Sequence, residues 1–450
     1  MKRRQSQPPS KIRLRKHLNG DALIGAVRRA FEKVPDHRKG TVKYSLADVA
    51  MSAFAMFSVK DPSLLAFERR WTARDHNLRT IYGIDKIPSD SSMRETLDEV
   101  PPAAFWPAFR TVFSQLQRGK ALEQLAFLDG YHILALDGTG YFSSEKLHSP
   151  ACLQKVDSRS GKASYYLQML GAAIVHPDFK EVIALAPELI RRSDGDTKND
   201  CERNAAARFL ERLRKEHPHL KIIITEDALS PNAPHIETLM SLDLRFILGV
   251  KPGDHQFLFQ QFDKAVKKGQ ISELELKDPT DPEKLHYFHY LNGCALNQSH
   301  QHLKVNLLEY WEVTPKTTQR FSWVTDFVIT SQNAYDLMRA GRARWKIENE
   351  TFNTLKNQGY NLEHNYGLGE KHLSAAFVTL MMLAFLVDQV QQLACPLFRA
   401  VWKKLETKRD LWERIRSMFW DFELESLRML LEALLYGYQR LPPVILYDPG

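Results

Sequence analysis

Two aspartates sit where a strand hands over to a turn. Residues 132–136 (HILAL) lead into Asp137-Gly138-Thr139-Gly140, and residues 221–225 (KIIIT) lead into Glu226-Asp227. In open α/β sheets the functional crevice lies outside the carboxyl ends of the strands. If these two strands are neighbours, their spacing of about 4.8 Å brings the carboxylates of Asp137 and Asp227 together. Two carboxylates that close repel, and a cation between them removes the conflict. Oxygen donors without histidine or cysteine select a hard ion, Mg²⁺ or Mn²⁺. Such a site holds two ions about 3.5–4 Å apart, one for each of the attacking and leaving oxygens of an in-line displacement at phosphorus. Taken singly, an aspartate at a strand end also serves as a turn former. Asp129 neighbours a strand too, but at its start, the wrong end for the crevice. Glu226 adjoins Asp227, yet successive strand residues point to opposite faces, so one of the two is expected inside, and Asp227 is chosen.

A third carboxylate comes from Glu348, in the string Arg342-Ala343-Arg344-Trp345-Lys346-Ile347-Glu348-Asn349. Arg344 and Glu348 are one helical turn apart and share a face, with Phe352 and Lys356 continuing roughly along it. Glu350 lies about 200° around the helix from Glu348. Arg342, Arg344 and Lys356 are candidates for contact with phosphates. Trp345 suits either packing or stacking on an unpaired base. The competing reading of Arg344 and Glu348 is an ordinary surface ion pair.

The elements that must position these residues change along the chain. Residues 21–125 read as helical. Asp21 is a candidate cap for a helix through Leu23, Val27, Ala30 and Phe31, and Ser45 caps a second one through Phe57. From about residue 126 strands appear: 132–136, then 165–175 and 181–185 joined through His176-Pro177-Asp178 as a hairpin. A helix from about residue 200 buries Ala205, Ala206, Phe209, Leu210 and Leu213. The β-branched strand 221–225, a short helix at 234–240 and a strand at 245–250 follow. The order is that of an α/β fold with a mixed sheet. Residues 252–330 are again strand-prone, clearest at 305–313 and 321–329, and helices return from about 333 to 441.

The chain has 450 residues, a net charge of +8, 44% hydrophobic and 26% charged residues. These values describe an ordinary globular protein of two or three domains. Four cysteines without a C-x-x-C spacing signal neither a disulfide framework nor a zinc site, and the expectation is reduced thiols in the cytoplasm. His286, His289, His300, His302 and Cys294 lack a standard zinc spacing. No secretory leader is expected in the basic start. The apolar run 375–387 is shorter than the roughly 20 residues that span a bilayer and reads as a core helix, so no membrane partner is expected. Residues 1–20 carry Lys2, Arg3, Arg4, Lys11, Arg13, Arg15 and Lys16 and no acid. Such an arm can neutralise phosphates and release counterions, or serve only as a solubilising tail.

Several ordered strings resemble the insertion-sequence-four type of transposases with an Asp-Asp-Glu site. R-W-K-I-E-N at 344–349 is similar to their R-W-x-I-E core, A-L-D-G-T at 135–139 to their first-aspartate motif and I-T-E-D-A-L at 224–229 to their second. D-H-R-K-G at 36–40, K-D-P-S-L-L-A-F at 60–67, K-N-D-C-E-R-N-A-A at 198–206 and V-K-P-G-D-H at 250–255 also resemble that family, over about residues 34–386. The resemblance implies an RNase H-like mixed-sheet core with a β-strand insertion domain between Asp227 and Glu348, which lie 121 positions apart. The organisation expected is a basic arm (1–20), a helical N-terminal domain for DNA binding or dimerisation (21–125), the core (126–252 and 331–386) interrupted by the insertion (253–330), and a C-terminal helical region (387–450).

The resemblance further implies two Mg²⁺ or Mn²⁺ ions held by Asp137, Asp227 and Glu348, and double-stranded DNA as partner at transposon ends and target. It implies a homodimer in synapsis, and cut-and-paste chemistry at the bacterial nucleoid. The family signature Tyr-(2)-Arg-(3)-Glu-(6)-Lys is met at Arg344 and Glu348. Gly341 stands at the tyrosine position and the lysine comes one residue late, at Lys356. That departure bears on how a transposon end is gripped and on hairpin formation. The rival expectations are an RNase H-like nuclease without strand transfer and a domesticated DNA-binding protein without turnover.

Overall fold

The computed structural model describes residues 12–71, 75–190, 201–228 and 230–438. Of the basic arm, Lys2, Arg3, Arg4 and Lys11 lie outside the described residues.

Among the described residues, twelve strands form one mixed sheet: β1 (Ala126–Phe127), β2 (Tyr131–Ser144), β3 (Leu153–Val156), β4 (Ala163–Val175), β5 (Ile183–Ala184), β6 (Glu188–Ile190), β7 (Ile222–Glu226), β8 (Arg245–Gly249), β9 (Ser272–Lys277), β10 (Leu285–Ala295), β11 (Lys304–Val313) and β12 (Thr318–Thr325). The order across the sheet is β3-β4-β2-β7-β8-β12-β11-β10-β9, with β1 on β2 and both β5 and β6 on β4. β2, β7 and β8 run parallel, and β4 and β12 flank them antiparallel. Where they pair in parallel, the three strands carry buried apolar runs, Ile133–Leu136, Ile222–Ile224 and Phe246–Leu248, as strands covered on both faces do. The strand-rich insertion does not build a sheet of its own: β12 pairs with β8 through Trp323–Gly249, Val324–Leu248 and Thr325–Ile247, so β9–β12 extend the core sheet.

Two elements differ from expectation in ways that matter for the site. β2 does not stop before Asp137 but continues to Ser144, paired with β4 through Asp137–Gly171 and Gly138–Leu170. What ends near Asp137 is its parallel pairing with β7, whose last partners are Ala135 and Thr225. The glycines 138 and 140 therefore lie within a strand, and the register shifts between Gly140 and Phe142. The segment carrying Glu348 is not a plain α-helix. After the helix Ala334–Arg342 comes a turn, then a π-helix over Ile347–Phe352 and a short helix Asn353–Asn357. π-helical turns inside helices gather at functional sites.

The helix Glu202–Glu216 buries the five apolar residues expected of it, Ala205, Ala206, Phe209, Leu210 and Leu213. Ser45 caps Leu46–Ser58 by accepting the Asp48 N–H at 3.0 Å. The first helix, Gly20–Phe31, is capped by Asn19, which accepts the Ala22 N–H at 3.0 Å, and not by Asp21. Asp21 instead accepts the N–H groups of Leu427 (2.6 Å) and Arg428 (3.0 Å), at the start of the helix Leu427–Tyr436. A carboxylate is favoured at that helix N-terminus, and the contact ties the helix Gly20–Phe31 to the helix Leu427–Tyr436.

The helix Leu373–Ala394 is longer than its apolar run. It is long and apolar enough to cross a membrane by length and composition, and it is buried along its whole length. It continues through Asp388, Gln389, Gln391 and Gln392, all buried, and Gln389 accepts the Val182 N–H at 3.0 Å. Packing against Leu46–Ser58 makes it the spine of the helical layer.

Candidate active site

The parallel register carries the first relationship. Ala135 pairs with Thr225; Asp137 stands two residues further along β2, and Asp227 is the first residue past the end of β7. Both line one cavity of about 470 Å³, together with Glu202, Arg203, Glu226 and His235. Asp137 Oδ1 accepts the Gly138 N–H at 2.9 Å.

Glu348, which does not line this cavity, also reaches Asp137. Arg344 Nη1 lies 3.1 Å from Asp137 Oδ2 and Arg344 Nη2 lies 2.9 Å from Glu348 Oε1, so one guanidinium bridges both acids. Burial pushes the Asp137 carboxyl up to about 7; the Arg344 charge opposes this and the neighbouring Glu348 carboxylate, within hydrogen-bonding reach, adds to it. An acid so placed takes either a proton or a cation.

Packing explains why Glu348 arrives there. The Phe352 ring, at the end of the π-helix, lies on Gly171 of β4, the register partner of Asp137. A β-carbon on Gly171 would stand 2.6 Å from Phe352 Cε1. The π-helix and this bare glycine together seat the turn against the strand that holds Asp137. The bare Cα of Gly341, at the family's tyrosine position, is covered by the Trp323 indole of β12; a β-carbon there would stand 2.6 Å from its Nε1.

The other residues expected here are placed variously. Arg344 holds carboxylates and is mostly buried, where contact with phosphates was expected. Arg342 turns to the extended sheet, pairing with Glu312 at 2.7 Å and lying over the Phe321 ring. Lys356 pairs with Glu363 at 2.8 Å. Trp345 is 49% exposed, beside the Arg344 guanidinium, so it is not a core residue. Asp129 lies in the turn before β2 with φ of 55°, away from the crevice edge.

Sequence reasoning missed two acids of the cavity. Glu202 opens its helix beside Gly138, and burial together with Asp227 and Glu226 raises its pKa. Glu226 is 5% exposed with Oε2 3.2 Å from His235 Nε2. Burial pulls the His235 pKa down, but Glu226 outweighs it and leaves the imidazole raised. The alternation rule had assigned only one of Glu226 and Asp227 to the site. It fails here because β7 ends at Glu226, and the chain beyond is free to turn Asp227 to the same cavity. The signal for Glu202 was the acid opening an amphipathic helix in C-E-R-N-A-A.

The donor set, carboxylate oxygens around a half-buried Asp137 of raised proton affinity, is of the type that suits a hard divalent cation. Among the described residues no three His, Cys, Asp or Glu side chains are drawn tightly enough together to hold a metal ion. Asp137 and Glu348 are instead bridged by Arg344.

Residues 157–386, just over half of the chain, match the transposase DDE domain. The chain belongs to that family. The match contains Asp227 and Glu348 and begins 20 positions after Asp137. A search of the curated proteins finds no match. As a DDE-domain transposase, the chain belongs with enzymes that cleave nucleic acid and act on DNA, a family that typically uses divalent metals.

Proposed function

We propose that this DDE transposase cuts DNA at transposon ends and joins the freed ends to target DNA, with Asp137, Asp227 and Glu348 as the catalytic carboxylates. The reading is supported by two relationships of Asp137: it lines one cavity with Asp227, and the Arg344 guanidinium bridges it to Glu348. The three carboxylates would hold two Mg²⁺ or Mn²⁺ ions. Divalent cations bound there supply Lewis acidity and charge neutralisation for in-line displacement at phosphorus.

The chemistry balances without a further reactant. Water attacks a phosphodiester at the transposon end, a P–O bond forms as the P–O3′ bond breaks, and the 3′ oxygen leaves as a hydroxyl. That 3′-OH then attacks a target phosphodiester, forming one P–O bond and breaking another. Positioning and fixed charge carry most of the rate gain in such reactions. Asp137 anchors both halves of the site. Arg344 offsets the repulsion between the Asp137 and Glu348 carboxylates, and would be free to donate to a phosphate once cations neutralise them. Exposed Trp345 offers a face on which an unpaired base can stack. Double-stranded DNA is the partner, and a homodimer pairs the two ends.

The test uses the purified full chain, Mg²⁺ and DNA from the gene's own flanks carrying its inverted repeats. Cleaved and joined products are expected, and Asp137→Asn, Asp227→Asn and Glu348→Gln each lose nearly all of both. Cut products alone would make the protein a nuclease without strand transfer. Wild-type rates in Asp137→Asn would refute the site.

A further inference from the structure

β4 reaches well beyond its pairing with Asp137 and ends in a hairpin with β3. Lys155 pairs with Ser164 and Val156 with Ala163. The turn between them closes with the Asp157 N–H donating to the Lys162 carbonyl and the Gly161 N–H to the Asp157 carbonyl, both at 2.9 Å. Asp157 Oδ1 accepts the N–H groups of Arg159 (3.0 Å) and Ser160 (2.6 Å) and the Ser160 hydroxyl (2.9 Å). An aspartate bonded to the backbone just after it fixes a turn. Every residue from 155 to 162 is exposed. This is a tightly bonded tip with no core to pack on.

Two independent observations bear on what the tip meets. The first is charge. Residues 144–166 carry four cations, Lys146, Lys155, Arg159 and Lys162, and two acids, Glu145 and Asp157. Asp157 is committed to the turn, with Lys155 in electrostatic reach. None of the four cations makes an ion pair among the described residues, whereas nearby Arg208 and Arg212 share Glu188. The second is direction. Side chains alternate along a strand, and Leu170, Gln168 and Tyr166 of β4 line the cavity that Asp137 and Asp227 share. Ser164 and Lys162 continue the same alternation, and Lys155 stands opposite Ser164 on it. One face of the sheet thus leads from the cavity to the cations. The eight positions from Leu170 to Lys162 span about 27 Å at about 3.4 Å per residue. That is about eight base-pair steps of B-DNA.

We propose that the β3–β4 hairpin grips the DNA duplex at a distance from the reaction: Lys155, Arg159 and Lys162 hold backbone phosphates about eight base pairs from the phosphate being cut. The inference rests on the reading of the Asp137 cavity as the place of cleavage. The grip touches no base edge, so it positions the duplex without reading its sequence. Because the cations ride on β4, whose Gly171 pairs with Asp137, a duplex held at the tip is held in fixed register with the carboxylates.

The experiment compares the full chain with its Lys155→Gln/Arg159→Gln/Lys162→Gln variant, using a duplex that carries the gene's own inverted repeat and about twenty base pairs on each side of the cut. Binding without divalent metal is followed from 50 to 200 mM salt. Each lost phosphate contact makes the slope of log K against log salt shallower by about 0.9. The variant should therefore show a slope shallower by about 2–3 and affinity at least about tenfold weaker at low salt, with the melting temperature unchanged. Cleavage with Mg²⁺ should show a raised KM and a wild-type kcat. Shortening the duplex to four base pairs on one side of the cut should erase the difference in binding for one of the two sides, the side that lies along the hairpin. A variant that binds the long duplex as wild type does, while wild type cuts it, would overturn the grip and leave the transposase reading standing. A deficit that survives shortening on either side would also overturn it, since the loss would then come from overall charge. A wild-type chain that neither binds nor cuts the duplex would bring down both.

Discussion

The Phe352 ring covers the bare Cα of Gly171, and Gly171 is the residue paired with Asp137 across the sheet. One contact therefore links the π-helical turn that carries Glu348 to the strand that carries Asp137. Gly171→Ala places a β-carbon 2.6 Å from Phe352 Cε1, and a ring fixed in a packed turn cannot yield without moving the turn. Overpacking of this kind costs about 1–3 kcal/mol. A misplacement of about 1 Å at reacting groups costs on the order of 10²-fold in rate. Urea denaturation and cleavage rates should show both losses in Gly171→Ala and partial recovery of both in Gly171→Ala/Phe352→Leu. Unchanged cleavage in the single variant would mean that this contact does not set the site.

Arg344 is the side-chain cation that bridges Asp137 and Glu348. Its two contacts, at 3.1 Å to Asp137 and 2.9 Å to Glu348, offset repulsion between the acids. Hydrogen bonds to charged groups contribute about 1.5–3 kcal/mol. Arg344→Ala should lower the metal-free melting temperature, and Mg²⁺ should raise it by more than it raises wild type. Equal Mg²⁺ shifts in the two proteins would count against cation binding at this pair.

Much of this arrangement is readable in the sequence, and the unread remainder has a common cause. The five apolar positions of the helix Glu202–Glu216 and the Ser45 cap follow from periodicity and local hydrogen bonding, which act within a few residues. Asp137, Asp227 and Glu348 were singled out from local signals, an acid after an apolar run and an acid one turn from an arginine, although β2 runs on past Asp137 and Glu348 lies in a π-helix. Asp21 was misread because Asn19, two residues earlier, makes the cap, while the Asp21 partners are more than 400 positions away. The continuation of β2 past Asp137 depends on β4, and the seat of Phe352 depends on Gly171; neither pairing is written in either segment alone. The π-helix and the inward turn of Arg344 likewise follow from tertiary packing. So does the joining of the insertion strands to the core sheet through β8 and β12.

Lys60 belongs to the K-D-P-S-L-L string and is fully buried, with Nζ 2.5 Å from Asp388 Oδ2 and 3.8 Å from the Tyr360 ring centroid. Tyr360 donates its hydroxyl to the same carboxylate. The pair pins the loop after Leu46–Ser58 to the spine helix Leu373–Ala394. Breaking one side leaves a buried charge unpaired, at a cost of about 3–5 kcal/mol. Denaturation of Asp388→Leu should show a loss of that size, and Lys60→Met/Asp388→Leu should restore most of it. A double variant as unstable as the single would show that the ion pair itself is not what Lys60 requires.

His217 ends the helix Glu202–Glu216 with its ring 4.4 Å from that of Phe113, joining the core to the N-terminal helices. Burial, then the nearby Arg110 and Arg214, pull its pKa down to about 4 from 6.5. The unfolded chain therefore binds a proton that the folded chain refuses between pH 6.5 and 4. The stability involved is fully present above 6.5 and lost as the pH falls toward 4, by up to about 3 kcal/mol. His217→Asn should flatten that part of a stability-against-pH curve. Parallel curves for the variant and wild type would rule out His217 as the source.

The central claim is that Asp137 is the shared ligand of cations also held by Asp227 and Glu348. Anomalous scattering from crystals of the full chain grown with Mn²⁺ tests it most directly. The account predicts Mn²⁺ peaks about 2.0–2.2 Å from Asp137 carboxylate oxygens, with Asp227 and Glu348 completing the donor set and Arg344 displaced from between Asp137 and Glu348. Crystals whose Mn²⁺ peaks all lie elsewhere, with the Arg344 bridge intact at saturating Mn²⁺, would contradict it.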